Sequence, residues 1–221
     1  MIDFAMRQNG DSRRGDRRRI YHAAPSPNKT SDPGSSAGRS VASAPMTTAP
    51  LTSPVGGLSV GPAEITDGAE LWRIARGSGE LDLNSPYSYL LWCRDFADTT
   101  AVARDASGRP VGFVTGYLRP DAPGTLFVWQ VAVEGSHRGS GVAGTLLDAL
   151  SARVAAEHGL DRLEATVTPG NLASDRLFRS YARRHGADLT REVLFPSASF
   201  PVAGHEAEVL YRIGPLAPPA S

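Results

Sequence analysis

One segment, residues 131–144, constrains the fold more than any other part of the chain. It begins with the apolar run Val131–Ala132–Val133, continues as a polar loop and enters a predicted helix near Val142. Gly139 and Gly141 remove side chains from the loop, so backbone N–H groups can approach an anion closely. The N-terminus of the helix adds about half a unit of positive charge. The segment therefore predicts a strand, loop and helix that together bind a phosphate group.

Apolar periodicity on both sides of this segment predicts one α/β domain over residues 61–217. In the second helix, Tyr89, Leu90 and Phe96 are expected to face inward. The order of elements favours a mixed, mostly antiparallel central sheet flanked by helices. The predicted helices cover residues 67–75, 85–96, 142–157 and 171–185, and the predicted strands cover residues 99–103, 111–118, 125–133, 163–167, 192–195 and 208–213.

The ends of the chain differ from the body. Residues 1–60 are rich in Ser, Pro, Gly, Ala and Thr without apolar periodicity, which predicts a disordered tail, and residues 218–221 form a short C-terminal tail. Met46 is an alternative start for the chain. The tail carries a net charge of +4 and the body −4, so the body lacks the basic surface of a nucleic-acid-binding protein. The arginines of residues 13–19 are read either as part of a solvated tail or as a contact with nucleic acid or membrane.

Other classes are excluded by simple counts. No apolar stretch is long enough to span a membrane. The single cysteine, Cys93, excludes an internal disulfide and a cysteine-based metal site, which is consistent with a cytoplasmic protein. We interpret Cys93 as a core residue, because no basic neighbour in sequence would stabilise a thiolate.

The glycine loop also allows two other interpretations. Gly139-x-Gly141-x-x-Gly144 has the form of a dinucleotide fingerprint, with Glu164 as the acidic residue that follows it. In the dinucleotide-binding fold the first glycine follows its strand almost directly, whereas here five residues separate Val133 from Gly139. The acidic residue of that fold ends the next strand, whereas Glu164 begins it. A purely structural glycine loop is the other alternative.

Two motifs carry a specific resemblance. Arg138-x-x-Gly141-x-Ala143 resembles the pyrophosphate motif of the GNAT acetyltransferases, and Asn171-x-x-Ser174-x-x-Leu177–Phe178 resembles their later motif. The resemblance implies the GNAT fold, acetyl-coenzyme A as co-substrate and no metal. It implies coenzyme contacts at Val131, Val133, Arg138, Gly139, Ser140, Gly141, Val142, Ala143, Asn171 and Phe178.

A second resemblance concerns the acceptor. The strings at residues 81–91, 126–133, 166–171, 205–208 and 212–215 resemble the L-2,4-diaminobutyrate acetyltransferases of ectoine biosynthesis, which serves osmoprotection. It covers residues 61–216 and implies transfer of the acetyl group to the 4-amino group, giving N4-acetyl-L-2,4-diaminobutyrate. It also implies a cytoplasmic homodimer.

Such a diamine enters as a cation and must lose a proton before it can attack, so carboxylates suit both binding and catalysis. The predicted catalytic residues are Glu208, His205 and Asp82. Each candidate also has a structural interpretation: a turn or cap for Asp82 and Asn84, packing for Tyr87, a loop or strand edge for His205 and Glu208. Strand alternation would put Phe127, Trp129 and Val131 on one face, which leaves a core role open for Trp129. The predicted substrate pocket consists of Asp82, Asn84, Tyr87, Trp129, His205 and Glu208.

The predicted mechanism is direct attack of the amine on the thioester, with a backbone N–H of residues 129–133 stabilising the oxyanion. Many GNAT enzymes have Tyr at the position of Phe178 to protonate the leaving thiolate, so here Ser180, Tyr181 or water takes that task. The alternatives are a GNAT enzyme acting on a different small or peptide amine, and an acetyl-coenzyme A-binding protein without catalysis.

Overall fold

The computed structural model describes residues 57–79, 81, 83–201 and 204–217. In this part of the chain seven strands form one sheet in the order β1-β2-β3-β4-β5-β7-β6. Within the sheet, β4 and β5 are parallel and all other neighbours are antiparallel, which confirms the predicted mixed sheet. The strands are β1 (Ser59–Pro62), β2 (Thr100–Arg104), β3 (Pro110–Arg119), β4 (Ala122–Val133), β5 (Arg162–Val167), β6 (Leu189–Phe195) and β7 (Glu208–Ile213).

Local signals begin and end the helices. The Ser85 side chain accepts a hydrogen bond from the Ser88 N–H at the start of α2, and Pro86 occupies the first helical position, where no N–H is needed. Asn171 caps the last helix by accepting a 2.9 Å hydrogen bond from the Ser174 N–H. Gly79 ends the first helix with a left-handed φ of 73°. The helices of the described residues are α1 (Gly68–Ser78), α2 (Pro86–Asp95), α3 (Val142–His158) and α4 (Leu172–Arg184).

The sheet is covered on both faces, and each face has its own hydrophobic core. Helices α3 and α4 pack on one face, where Leu146, Leu150 and Tyr181 are fully buried. Helices α1 and α2 pack on the other face, with Leu71 and Tyr89 fully buried against β2, β3 and β4. Burying a side chain of this size contributes roughly 1.5–3 kcal/mol relative to leaving it exposed. The two cores hold the strand ends, and therefore the loops that follow them, in fixed positions.

Two features differ from the sequence-based expectation. The predicted tail boundary at residue 61 falls inside β1, a four-residue strand that is too short for a clear alternation. Leu90 and Phe96 were expected to face inward but are 42% and 40% exposed, because α2 turns its Tyr89 and Cys93 side toward the sheet. Cys93 is buried as predicted, and burial raises the pKa of its thiol to about 11. The predictions for residues 1–56, 80, 82 and 218–221 lie outside the described residues.

Among the described residues, none of the helices has the length and apolar character needed to cross a membrane.

Candidate active site

The two parallel strands separate part of the way along the sheet. Pairing of β4 with β5 covers residues 125–128 and 162–165, whereas β4 continues to Val133 and β5 to Val167. Beyond the paired part, the edge of β4 that faces β5 is open. A cleft of about 760 Å³ lies at this end of the sheet, and its lining includes Val131, Ala132 and Val133. The open strand edge leaves backbone groups available to an extended ligand, and contact of Val131 and Val133 with a coenzyme, which the resemblance implies, stays a prediction.

The glycine loop forms the next part of the cleft. Gly139 and Gly141 have φ angles of 78° and 83°, and no atom lies within 4 Å of the position that a Cβ would occupy at either residue. The backbone conformation therefore requires glycine here, and the space above it is free. Gly141 precedes α3, whose first turn contains no acidic residue and whose N-terminus has no side-chain cap. The arrangement leaves helix-terminal N–H groups available for an anion.

Arg138 lines the cleft but holds the loop as well. Its Nε donates to the Val133 carbonyl at 3.1 Å, and its Nη2 donates to the carbonyls of Ser78 and Gly77 at 3.2 and 3.4 Å. The guanidinium thus connects the loop to the end of β4 and to the C-terminus of α1. The sequence motif indicated a phosphate ligand at this position, and the structure adds these anchoring contacts.

Sequence reasoning missed several charged residues in the cleft. One side of α4 supplies Arg176 and Arg184, and His137 stands in the loop. Arg184 donates to Asp148 at 2.8 and 3.1 Å, which neutralises much of its charge. Arg176 has no ion pair among the described residues, so its charge is available to a ligand phosphate. The signal was present in the helical spacing of the cleft-lining residues of α4, which are Ala173, Ser174, Arg176, Leu177, Ser180 and Arg184.

The remaining predicted coenzyme residues fall into three groups. Val142, Ala143 and Asn171 line the cleft with the strand and loop residues, while Ser140 is exposed in the loop and donates to the His137 carbonyl at 2.6 Å. Phe178 is only 3% exposed and packs near Tyr211, so the structure places it in the core and not in the cleft lining. Contact of these residues with a coenzyme stays a prediction.

Of the two hydroxyl groups considered for the thiolate, the structure favours one. Ser180 lines the cleft, where its Oγ accepts a hydrogen bond from Arg184. Tyr181 is fully buried and donates to Ser151 Oγ at 2.8 Å, on the core side of α4. Burial raises the pKa of Tyr181 to about 12, which makes its hydroxyl a poor acid.

A bulge in β4 changes which side chains reach the cleft. Thr115 of β3 lies opposite Gln130 and Gly116 lies opposite Val128, so Trp129 is an extra residue in β4. A Cβ at position 116 would lie only 2.8 Å from the Phe127 carbonyl oxygen, which explains the glycine there. After the bulge Val131 packs toward the α3 and α4 face, whereas Trp129 stays on the α2 face. The expected shared face of Phe127, Trp129 and Val131 is therefore wrong for Val131.

Aromatic residues surround the bulge. The Trp129 ring stacks on Trp92 of α2 with a centroid distance of 6.3 Å, and Trp92 contacts Phe96 at 4.7 Å. Trp129 is half-buried, so it is neither pure core nor free surface. Tyr87, at the start of α2, is 64% exposed and available to a ligand. These rings form an apolar wall beside the open end of β4.

A buried polar cluster lies behind that wall. The Tyr89 hydroxyl donates to Gln130 Oε1 at 3.0 Å, and hydrogen bonds also link Tyr89 with Asn84. Burial raises the pKa of Tyr89 above its ordinary value. Asn84, predicted to bind substrate, is thus held against α2. Asp82, the other candidate from this segment, lies outside the described residues.

Glu208 and His205 lie on the other side of the separating strands. Glu208 begins β7, and its neighbour Val209 pairs with Val167 at the C-terminal end of β5. His205 stacks on Phe200 with a centroid distance of 3.7 Å and contacts the Glu206 carbonyl through Nδ1 at 2.6 Å. Both candidates are half-buried. Since β4 and β5 are parallel, Trp129 and Glu208 are brought to the same end of the sheet, on either side of the gap between these strands.

Comparison with known proteins agrees with this geometry. A model of the acetyltransferase (GNAT) family matches residues 67–182. The L-2,4-diaminobutyric acid acetyltransferase of Streptomyces avermitilis is 62% identical over 160 residues, which is 72% of this chain and 89% of that protein. The protein of the same name from Streptomyces coelicolor is 61% identical over 75% of this chain and 98% of its own length.

A solved structure is also similar. The diaminobutyrate acetyltransferase of Paenibacillus lautus, in complex with its substrate L-2,4-diaminobutyric acid and coenzyme A, has a TM-score of 0.69 and 41% identity. The match covers 74% of this chain and 98% of that chain. The chain therefore belongs to the acetyltransferase (GNAT) family, among the L-2,4-diaminobutyric acid acetyltransferases.

Proposed function

We propose that the chain transfers the acetyl group of acetyl-coenzyme A to the 4-amino group of L-2,4-diaminobutyrate, giving N4-acetyl-L-2,4-diaminobutyrate. The observation that carries the proposal is the separation of β4 from β5 after Val128, which brings the glycine loop, Trp129 and Glu208 to one end of the sheet. The relatives that share most of the folded body bear the name of this activity. The place of the reaction in ectoine biosynthesis is part of the same proposal.

Coenzyme binding follows from the chemistry of the cleft. The pyrophosphate of acetyl-coenzyme A is an anion, and the left-handed glycines 139 and 141 expose amide groups at the N-terminus of α3. The open edge of β4 at residues 131–133 can pair with the amide groups of the pantetheine arm. Arg176 supplies a cation without a protein partner among the described residues, which suits another phosphate of the coenzyme.

Deprotonation of the amine is assigned to Glu208, at the start of β7 and on the far side of the gap between β4 and β5. A free alkylamine has a pKa of roughly 10, so the substrate arrives as a cation that carboxylates attract. Glu208, directly or through water, accepts the proton, and His205 beside it assists. We assign binding of the diamine to Asp82, Asn84 and Tyr87. Trp129, as part of the apolar wall, is assigned to contact the methylene groups of the diamine. Neutral amine then attacks the thioester carbonyl.

The acyl-transfer step needs little else from the protein. An N–H group on the unpaired edge of β4, within residues 129–133, can stabilise the developing oxyanion. The thiol that leaves has a pKa of about 8.5, so a strong acid is not required. Ser180 in the cleft lining or water can return the proton, since Phe178 has no hydroxyl group.

Position-specific analysis of the product tests the proposal. The purified protein is incubated with acetyl-coenzyme A and L-2,4-diaminobutyrate, and two-dimensional NMR locates the acetyl group. We expect acetylation of the 4-amino group and much slower turnover of 2,3-diaminopropionate, which is shorter by one methylene. Acetylation of the 2-amino group would contradict the proposed position, and faster turnover of a peptide N-terminus would contradict the substrate. Binding of acetyl-coenzyme A without turnover of any amine would support the non-catalytic alternative.

We further propose that the enzyme is a cytoplasmic homodimer. The edge strand β6 exposes Val193, Leu194 and Phe195 to 59%, 36% and 49%, an apolar surface that a second copy would bury. The use of acetyl-coenzyme A favours the cytoplasm. Light scattering after size-exclusion chromatography should give twice the mass of the chain, and Phe195→Glu should shift it to the monomer mass. A monomer in the unmodified protein would contradict the dimer.

A further inference from the structure

Glu134 occupies the junction between β4 and the glycine loop. Its backbone N–H donates to the Val111 carbonyl at 2.8 Å, so the residue is fixed at the end of the strand. Its carboxylate accepts hydrogen bonds from two arginines on separate elements. Arg73 of α1 donates to Oε1 at 2.8 Å, and Arg109, in the turn between β2 and β3, donates to Oε1 and Oε2 at 3.0 and 2.8 Å. One carboxylate therefore joins three separate parts of the fold.

The beginning of the loop is built on the same residue. The His137 N–H donates to the Glu134 carbonyl at 2.9 Å, which closes the short 3-10 turn over Gly135–His137. Ser136 Oγ donates to Glu134 Oε2 at 3.4 Å, and His137 Nδ1 lies 3.6 Å from the same oxygen. His137 itself lines the cleft, two residues before the first left-handed glycine.

Helix α1 supports the loop at a second point. Arg138 binds the carbonyls of Gly77 and Ser78 at the end of this helix, while Arg73 in its middle binds Glu134. The loop is thus attached to α1 through two residues, Glu134 before the 3-10 turn of residues 135–137 and Arg138 after it. A loop held in its binding conformation does not spend the coenzyme's binding free energy on its own ordering.

A carboxylate beside an anion site is unfavourable unless it is neutralised. The Glu134 side chain is 19% exposed, and its hydrogen bonds to Arg109 and Arg73 lower its pKa to about 2, so it is ionised at neutral pH. Arg73 also pairs with Glu70 at 2.8 Å, and Arg109 with Asp105 at 3.6 Å, so the two arginines are shared with other carboxylates. Their hydrogen bonds neutralise much of the Glu134 charge, which explains why an acidic residue is tolerated there, and the attraction for an anion comes from the loop amides and the N-terminus of α3.

We propose that Glu134 is a positioning residue for acetyl-coenzyme A, which holds residues 135–141 in the conformation that presents their amides to the pyrophosphate. The proposal rests on the proposed use of acetyl-coenzyme A. Glu134 does not touch the reacting atoms in this assignment. Its loss should weaken coenzyme binding and leave the chemical step and the diamine site unchanged.

The chain offers a matched control for the test. Glu164 is also a buried acid that two arginines hold, through Arg119 Nη1 at 2.9 Å and Arg212 Nε at 3.0 Å. It lies opposite Phe127 in the paired part of β5, away from the glycine loop. Glu134→Gln and Glu164→Gln therefore remove the same charge from similar surroundings, and only the first should affect the loop.

Two measurements on both variants decide the proposal. By calorimetry, Glu134→Gln should raise the dissociation constant of acetyl-coenzyme A about tenfold, whereas Glu164→Gln should leave it within about twofold. The kcat of Glu134→Gln at saturating coenzyme and its KM for the diamine should stay near the unmodified values. In the coenzyme-free protein, amide hydrogen exchange over residues 135–141 should be faster in Glu134→Gln than in Glu164→Gln. Glu134→Asp, which keeps the charge, should recover part of the affinity.

Unchanged coenzyme affinity in Glu134→Gln, or equal losses in both variants, would overturn the proposal, as would loop exchange rates that do not differ. Failure of the unmodified protein to bind acetyl-coenzyme A would instead count against the proposed function. The exchange data would still decide whether Glu134 holds the loop.

Discussion

The hydroxyl group of Tyr89 on α2 donates a 3.0 Å hydrogen bond to Oε1 of Gln130 on β4, and both side chains are buried. Gln130 directly follows Trp129, the extra residue of the β4 bulge. The hydrogen bond therefore holds α2 against the strand at the point where the strand's side chains change faces. It also fixes the aromatic wall that we assign to the diamine.

Replacement of Tyr89 by Phe should lower stability. The change keeps the ring but removes a hydrogen bond between two buried groups, which costs about 1–3 kcal/mol of unfolding free energy. Urea denaturation measures the loss. Tyr87→Phe is the control. Because Tyr87 is 64% exposed, this variant should have the same unfolding free energy as the unmodified protein. Equal stability of both variants would mean that the Tyr89 hydrogen bond contributes nothing.

Replacement of Glu208 by Gln should impair catalysis and spare coenzyme binding. Loss of a general base typically lowers kcat by about 10²–10⁴. Steady-state kinetics with diaminobutyrate at saturating acetyl-coenzyme A measures the effect. Glu206 is an exposed acid near Glu208 in the sequence, and the control variant Glu206→Gln should retain a normal kcat. A normal kcat in Glu208→Gln would assign the base elsewhere.

Replacement of Gly141 by Ala should strain the loop. The φ of 83° places an alanine in the left-handed region, which costs about 1–2 kcal/mol. Gly144→Ala, in the first turn of α3, meets only ordinary contacts at 3.6 Å or more and should be neutral or stabilising by up to about 1 kcal/mol. Thermal unfolding compares the two. A Gly141→Ala protein as stable as Gly144→Ala would show that the loop adopts another conformation.

Removal of two buried hydroxyl groups, those of Thr115 and Ser151, should change the free energy of unfolding in different directions. Thr115 Oγ1 is buried without a hydrogen-bond partner, so Thr115→Val should leave stability unchanged or raise it by about 1 kcal/mol. Ser151 Oγ accepts from Tyr181 and donates to the Leu147 carbonyl, both at 2.8 Å. Ser151→Ala should therefore cost about 1–3 kcal/mol. Urea denaturation would contradict this if Thr115→Val were the more damaging change.

Low pH should lower the free energy of unfolding, partly through protonation of Glu134. Hydrogen bonds from Arg109 and Arg73 lower the pKa of this carboxyl from 4.5 to about 2 in the folded state. Its contribution is therefore complete above pH 4.5 and is lost as the pH falls toward 2, because only the unfolded chain takes up the proton in that range. At roughly 1.4 kcal/mol per pKa unit, and with partial screening by water, the contribution is about 1–3 kcal/mol. The stability difference between the unmodified protein and Glu134→Gln should shrink from pH 6 to pH 3. A constant difference would contradict the assigned pKa.

The sequence patterns predicted the bounds of most helices and strands to within a few residues. The prediction for β7, residues 208–213, coincides with the structure, and α4 was expected one residue longer at each end. The glycine loop before α3 was also predicted correctly. These features depend on local chemistry, namely strand alternation, an Asn cap and glycines at left-handed positions, and such chemistry is visible within a short window of sequence.

The tertiary structure decided what depends on distant partners. The bulge at Trp129 exists because β4 pairs with β3 in a register set by Thr115 and Gly116, and strand periodicity alone could not show it. Likewise, the partners of Glu134 lie 25 and 61 residues away. Local preferences in the sequence were enough to predict the fold class and the left-handed glycine loop before α3. Only packing between distant segments decided which side chains face the cleft and what holds the loop in place.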